Sequence, residues 1–211
     1  MRKGESNVAV PSIKGAAFAF VVEKVLRLVT SGEISRSELA RRLPSGGLEA
    51  IDRPVVLVAW YDIRIYAALM ELLRDVIGRS ENEYLVRHGG EAAERLLQKG
   101  FYQQMEYLKR MAPANETDPH IRYQGFGRDL RRLASLSPSI LNFGHLEVRV
   151  DPEYADRYML EASDGSAFPE VLCWSMQGFY NRMAAAHDSP ELWRLDRPHP
   201  NIVRHRMTRP I

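Results

Sequence analysis

Apolar residues recur at intervals of three and four through much of the first two thirds of the chain, and this spacing predicts a series of amphipathic helices. The first helix covers about residues 17–29 and ends before Gly32, which suits a helix C-terminus. Ser35 and Glu38 form a capping-box pair that predicts a short second helix. Asp62 has the residue type and position of an N-cap for the next helix.

A second capping-box pair, Ser80 and Glu83, predicts the start of a further helix. Gly89 and Gly90 lie inside its apolar pattern, where a glycine costs about 1 kcal/mol relative to alanine. We interpret this cost as a sign of either a kink or the close approach of another backbone. One more helix is predicted over residues 101–111.

Two proline-containing segments are less regular. Residues 54–60 form a continuous apolar run that fits either a buried strand or an extended link. Residues 121–136 have a helical pattern, and Pro138 is expected to end that helix because proline lacks a backbone N–H. The helical part of the chain is therefore expected to end near residue 136.

Beyond residue 140 the apolar spacing changes to alternation, which is typical of half-buried strands. A helix is predicted after Pro169, and Gly178 in its middle again suggests tight packing. The chain beyond residue 140 is predicted to form strand, strand, helix, strand, strand, with strands over residues 146–150, 157–162, 191–196 and 202–208.

This order predicts an α+β fold in which an N-terminal helical part packs on a C-terminal antiparallel sheet. A length of 211 residues suits one domain. We expect a flexible lead-in over residues 1–11 and a single α+β domain over residues 12–211. Within that domain, residues 12–136 form the helical part and residues 140–211 the sheet-bearing part.

The charge balance narrows the range of partners. The 29 basic and 27 acidic residues give a net charge of +2, so neither nucleic acid nor a membrane is expected as a partner. Arginine far outnumbers lysine, which fits either bidentate phosphate or carboxylate recognition or the codon usage of a GC-rich bacterial genome. A local arginine excess remains over residues 122–132 and 191–211, which are two candidate partner surfaces.

The cysteine content and the apolar runs indicate the cellular compartment of the protein. Cys173 is the only cysteine, which excludes an internal disulfide and fits a reducing compartment. The apolar run over residues 15–22 is too short to span a membrane, and no signal-peptide cleavage site follows it. We therefore expect a cytoplasmic protein.

The sequence contains no motif that assigns an enzymatic activity. It has no Gly-x-Ser-x-Gly, no His-Glu-x-x-His and no glycine-rich phosphate loop. Cys173 falls on an apolar helix face, so an inert buried thiol is expected. His88 fits a hydrogen-bonded core histidine or a pocket residue, and His145 fits a loop residue or a ligand of haem iron. We expect no catalytic residue and no metal site.

Aromatic residues cluster at several places in the sequence. Core packing is their usual role, and the alternative is a small-molecule pocket between the helices and the sheet. The candidate ligand-binding residues combine aromatic contact area with one polar group, the imidazole of His88; they are Trp60, Tyr61, His88, Phe143, Trp174 and Phe179.

Several short motifs resemble a paralogous family, found mainly in myxobacteria, of proteins of about this length. The motifs are Ile13-Lys14-Gly15, Trp60-Tyr61-Asp62, Arg87-His88-Gly89-Gly90-Glu91-Ala92 and Gln177-Gly178-Phe179. That family typically has proline after its Trp-Tyr pair, where Asp62 stands here. The resemblance covers about residues 12–209.

More distantly, the layout is similar to the haem-nitric-oxide-binding and four-vinyl-reductase-type sensor domains. The resemblance implies a helical part packed on an antiparallel sheet, with a cavity between them. Haem-binding members carry a proximal histidine on a helix and a Tyr-x-Ser-x-Arg motif. This chain has no such motif, and Tyr158-Met159-Leu160 lies in about the corresponding region. We therefore expect no haem and no other cofactor.

The leading interpretation is a non-enzymatic regulatory or ligand-sensing domain. It would bind a small apolar or amphipathic ligand between helices and sheet, and signal to a protein partner or a second copy in a homodimer. One alternative is an interaction or scaffold protein with a fully packed core and no ligand. A second alternative is a haem-based gas sensor. A small enzyme is the function class with the least support, because the sequence contains no catalytic triad, metal-ligand set or cofactor-binding loop.

Overall fold

The computed structural model describes residues 10–99 and 118–211, except for the side chains of residues 96–99. The helix predicted over residues 101–111 and most of the predicted lead-in lie outside the described residues. Within them the chain forms seven α-helices and six β-strands. None of these helices is long and apolar enough to cross a lipid bilayer.

The helical part contains five helices and two short strands. The helices are α1 (Gly15–Thr30), α2 (Arg36–Arg42), α3 (Gly47–Asp52), α4 (Ile63–Val76) and α5 (Asn82–Lys99). Two antiparallel strands, β1 (Ser12–Lys14) and β2 (Trp60–Asp62), accompany them. The rest of the chain forms α6 (Pro119–Ile140), β3 (His145–Asp151), β4 (Tyr154–Ser163), α7 (Glu170–Ala185), β5 (Trp193–His199) and β6 (Ile202–Met207).

The four long strands form one antiparallel sheet in the order β3-β4-β6-β5. Leu160 in β4 pairs with Val148 on one side and with His205 on the other. This sheet confirms the predicted α+β fold and its strand-strand-helix-strand-strand order. The β1–β2 pair was not predicted, because strands of 3 residues leave too little alternation to detect.

Two predicted N-caps are confirmed by their hydrogen bonds. Ser35 Oγ accepts a hydrogen bond from the backbone N–H of Glu38 at 3.1 Å. Asp62 Oδ1 accepts one from the backbone N–H of Arg64 at 2.8 Å. Both side chains satisfy a donor that the first turn of a helix leaves without an intrahelical partner, and they set where α2 and α4 begin.

Two predicted helix boundaries are wrong. Ser80 does not cap α5: its φ is 65°, its hydroxyl lies 3.4 Å from a carboxylate oxygen of Asp75, and the helix begins at Asn82. Pro138 does not end α6, which continues to Ile140. Because Pro138 lies in the last turn, its missing N–H removes one hydrogen bond and leaves the preceding turns intact.

The apolar run over residues 54–60 is neither a buried strand nor a fully extended link: it contains a turn, in which the backbone N–H of Ala59 donates to the carbonyl of Val56 at 3.0 Å, and its last residue, Trp60, begins β2. Its middle is exposed to solvent, with Val58 76% exposed. The carbonyl oxygens of Leu57 and Ala59 accept hydrogen bonds from the first two backbone N–H groups of α1, at 2.9 and 2.8 Å. The backbone carbonyl groups of this run therefore serve as hydrogen-bond acceptors for the start of α1.

Gly89 in α5 and Gly178 in α7 bring these two helices into backbone contact. A β-carbon at Gly89 would overlap the carbonyl oxygen of Ser175, and one at Gly178 would overlap that of Val86. The close approach predicted from the cost of glycine inside a helix is thereby confirmed at both positions.

The buried apolar residues form two clusters. The first cluster is centred on α1, α4 and α5, where Phe18 and Leu69 are fully buried. The second cluster lies between α6, α7 and the four-stranded sheet, around Trp193. Leu146 and Met176 are partly buried and pack against both clusters, so they mark the place where the two meet.

Candidate functional site

An apolar pocket of about 110 Å³, called here the central pocket, lies where the two clusters meet. Leu146 and Met176 lie in its wall. The rest of the wall comes from β1, α1, α4, α5, α6 and α7, and includes Ala17, Tyr66, Ala92, Leu136 and Phe179. The pocket thus lies between the helical part and the sheet-bearing part, where the sensor-domain resemblance implied a cavity.

The chemistry of the wall favours a neutral, mainly apolar molecule. The described residues that line the pocket include no charged side chain, no histidine and no cysteine. Burial raises the pKa of Tyr66 to about 12, against a smaller opposing effect of its hydrogen bond with Ser175. Burial also raises the pKa of Tyr180. Both phenols are therefore neutral at pH 7, and a charged ligand would lose its hydration without gaining a counter-charge.

The volume of the pocket limits the size of its ligand. An apolar cavity of about 150 Å³ binds benzene or xenon in another protein, whereas sites for drug-sized ligands enclose about 300–1,000 Å³. At about 110 Å³, the central pocket suits xenon, a diatomic gas or one small ring.

Of the six ligand-binding residues predicted from the sequence, Phe179 lines the central pocket and the other five do not. Trp60 is 41% exposed, and Lys14 Nζ lies 4.1 Å from its ring centroid. Trp174 Nε1 donates a hydrogen bond to Glu170 Oε1 at 3.2 Å on the exposed side of α7. These two tryptophans are therefore engaged away from the pocket.

Tyr61 and Phe143 pack against other aromatic side chains. Tyr61 stacks on Phe18 with ring centroids 4.3 Å apart. Phe143 meets Phe168 edge-on at 4.9 Å. The structure therefore distributes the predicted aromatic residues over several packing contacts and does not gather them around one ligand.

His88 is buried between α1 and α5, with its ring stacked on Phe20 at 4.8 Å. Neither ring nitrogen has a hydrogen-bond partner among the described residues. His88 is buried, as expected of a core histidine. The hydrogen bonds expected for its ring nitrogens are not found among the described residues. Burial and the nearby ammonium of Lys24 lower the pKa of His88 to about 3, so the ring is neutral at pH 7.

His145 and Cys173 show no catalytic arrangement. His145 is exposed at the start of β3, and its Nε2 lies 3.6 Å from Glu147 Oε1. Cys173 is buried, and burial raises the pKa of its thiol to about 11, so the thiolate that would react is scarce at pH 7. Among residues 10–99 and 118–211, no group of three histidine, cysteine or acidic side chains could hold a metal ion.

The residues of the central pocket do not fit a haem. Haem iron is held by histidine, cysteine, methionine or a tyrosine phenolate. The described wall has neither of the first two, burial disfavours both phenolates, and Met176 is the remaining candidate. The volume is also below that of a site for a drug-sized ligand, and a haem is larger still.

Sequence reasoning missed most of the pocket wall, including Tyr66, Ala92, Leu136 and Met176. Tyr66, Ala92 and Met176 fell on predicted apolar helix faces and Leu136 at the end of a predicted helix, so they looked like ordinary core residues. The available signal was the small size of Ala17 and Ala92 on faces that otherwise carry large side chains. Small residues facing each other across an interface leave space unless a larger neighbour fills it.

Comparison with known proteins bears on the fold. No model of a known protein family matches the chain, and no curated protein matches its sequence. It is similar to the crystal structure of an H-NOX protein from S. oneidensis in the Fe(II)NO ligation state, with a TM-score of 0.51 and 13% sequence identity. The match covers 92% of this chain and 98% of that one. The resemblance to the myxobacterial family stays a prediction. The predicted distant similarity to haem-nitric-oxide-binding (H-NOX) domains is confirmed at the level of the fold: the chain has an H-NOX-like fold.

Proposed function

We propose that this chain is a non-enzymatic ligand-sensing domain that binds a small, neutral, mainly apolar molecule in the central pocket. The observation that carries the proposal is an uncharged wall contributed by both parts of an H-NOX-like fold. The residues that line the pocket come from five of the seven described helices, so ligand binding can bias how these helices pack.

Helix α6 offers a route from the pocket to the surface. Leu133, Leu136 and Ile140 line the pocket, while Arg128 and Arg131 on the same helix are exposed. A ligand that binds one placement of α6 better than another shifts the population of that placement. We propose that a protein partner or a second copy of the chain detects the exposed face of α6.

The absence of enzymatic activity is part of the same proposal. It is supported by the inert environment of Cys173 and by a pocket wall whose described side chains hold no group that is ionised at pH 7. A single buried cysteine also supports a cytoplasmic location, where thiols stay reduced.

Titration with benzene tests the proposal. Benzene matches the volume and the apolar wall, and we expect it to bind saturably, to raise the melting temperature and to shift NMR signals of Leu136 and Met176. Ala92→Leu places a larger side chain in the pocket and should weaken binding about ten-fold or more. Ala40→Leu adds the same side chain to the exposed surface of α2 and should leave binding unchanged.

The alternatives predict different results in the same experiment. A scaffold protein without a ligand would show no saturable binding of benzene, and this result would overturn the proposal. Equal binding by the Ala92→Leu variant would also overturn it, because benzene would then bind elsewhere. A Soret band after mixing with haem, lost when Met176 is replaced by leucine, would favour the haem-based gas sensor.

A further inference from the structure

We infer that the exposed face of α6 holds a second binding site, for the phosphate dianion of a small phosphate monoester. This site is separate from the central pocket. It is a groove of about 400 Å³ between α6 and β4, called here the arginine groove, and it is lined by Ile121, Gln124, Arg128, Arg131 and Tyr158.

Among the described residues, neither Arg128 nor Arg131 forms an ion pair, although both are exposed. The acidic residues of the same region are engaged by other cations. Asp129 is held by Arg132 at 3.1 Å, and Asp156 lies 3.9 Å from Arg157.

Some arginines on the nearby sheet are neutralised, as Arg149 is by Glu147 and Arg206 by Asp151, and Arg128 and Arg131 differ from these. Two like charges three positions apart on a helix repel each other, at a cost in the stability of the helix. An anion that binds both guanidinium groups removes this cost.

The floor of the groove is closely packed. Tyr158 is buried, and its ring stacks on Tyr123 with centroids 4.2 Å apart. Its hydroxyl lies against Gly127, where a β-carbon would overlap it. The guanidinium carbon of Arg131 lies 5.8 Å from the Tyr158 ring centroid, within the range of a cation–π contact. Arg131 therefore lies on a packed aromatic surface.

The chemistry of the lining identifies the class of ligand. A guanidinium group presents planar pairs of N–H donors that match phosphate and carboxylate oxygens. Two such groups carry the charge that balances a phosphate monoester, which is about −1.5 to −2 near pH 7. A carboxylate balances only one of them. Ile121 and Gln124 border the groove and would contact the organic part of the ester.

Calorimetric titration with phenyl phosphate, inorganic phosphate and benzoate tests the inference. We expect saturable binding of phenyl phosphate that weakens as NaCl is raised, weaker binding of inorganic phosphate and the weakest binding of benzoate. The Arg128→Gln/Arg131→Gln variant should bind phenyl phosphate about ten-fold more weakly or worse. Arg41→Gln, which removes an exposed arginine of α2, should bind it normally.

The melting temperature of the double variant serves as the folding control. It should stay close to that of the parent chain, because both arginines are exposed. Arg128→Lys/Arg131→Lys keeps the charge and loses the paired donors, so it should bind more weakly than the parent. Absence of saturable phenyl phosphate binding, equal loss in the Arg41→Gln variant, or benzoate binding as tight as that of phenyl phosphate would overturn the inference.

Discussion

Gly178 in α7 lies directly against the backbone carbonyl of Val86 in α5, with no room between them for a β-carbon. The contact is reciprocated between Gly89 in α5 and the carbonyl of Ser175 in α7. Ser175 also lines the central pocket. The glycine crossing therefore positions one wall of the proposed ligand site.

Replacing Gly89 by alanine should destabilise the protein strongly. The added methyl group meets a backbone oxygen, so the helices have to separate, and overpacking of this kind costs about 1–3 kcal/mol or more. Gly90→Ala is the matched control, because a β-carbon there would lie 3.7 Å from the nearest carbonyl oxygen. It should be neutral or stabilising by up to about 1 kcal/mol. Urea unfolding measures both, and equal effects of the two substitutions would contradict the crossing.

The stability of the protein should fall as the pH drops below about 6.5. Burial and Lys24 lower the pKa of His88 to about 3, and burial lowers that of His205 to about 4. The unfolded chain binds protons at these groups below pH 6.5 while the folded chain does not. The loss should amount to about 1.4 kcal/mol per pH unit for each histidine until its folded pKa is reached.

His88→Phe isolates the contribution of one histidine. Phenylalanine keeps the stacking on Phe20 and removes two nitrogens that lack partners among the described residues, so stability should rise and the slope between pH 6 and 4 should become shallower. His145→Phe is the matched control, because it makes the same replacement at an exposed position. Urea unfolding at pH 7, 6, 5 and 4 makes the comparison. An unchanged slope in His88→Phe would show that His88 is not the group responsible.

The ion pair between Asp151 and Arg206 should contribute more than its neighbours on the surface. The Asp151 side chain is fully buried, and the guanidinium of Arg206 donates to both carboxylate oxygens at 2.8 and 2.9 Å. These hydrogen bonds hold the pKa of Asp151 below its usual value, so their stabilisation is present above about pH 4 and lost in acid.

Arg206→Met leaves that carboxylate buried without its main partner and should cost about 2–3 kcal/mol at pH 7. Arg36→Met removes the partner of Asp52 on the exposed surface and should change stability little. Thermal unfolding at pH 7 and at pH 3 provides the readout. A cost for Arg206→Met that is as large at pH 3 as at pH 7 would argue against the charge interaction.

Leu136→Ala should enlarge the central pocket and change which ligands it accepts. Loss of this buried side chain should cost about 2–5 kcal/mol, and indole should then bind and restore part of the stability. Leu160→Ala removes an equally buried leucine from the sheet, away from the pocket wall, and should show a similar cost without rescue by indole. Equal rescue of both variants would mean that indole binds outside the pocket.

Features fixed by neighbouring residues were the ones that could be predicted from the sequence. The caps at Ser35 and Asp62 depend on contacts two or three positions away, and the strands of the sheet follow from alternation. Gly89 and Gly178 each indicated a close approach, but nothing local shows that each meets the other's helix.

The central pocket was harder to predict because it is defined by the space that several elements leave unfilled. Tyr66, Ala92 and Leu136 come from three different helices, and each one alone fits a packed core. Conversely, Trp60 and Trp174 are aromatic residues of the kind expected in a ligand site, but they lie outside the pocket wall. Whether facing apolar side chains meet or leave a gap depends on the relative placement of helices, which periodicity does not encode.

A crystal structure of the protein under xenon pressure is the most direct test of the central claim. Xenon binds apolar cavities of this size through dispersion and needs no specific hydrogen bond. We expect a xenon atom in the central pocket, in contact with Leu136, Met176 and Phe179. A pocket that stays empty of xenon, or that is filled by the surrounding side chains, would contradict it.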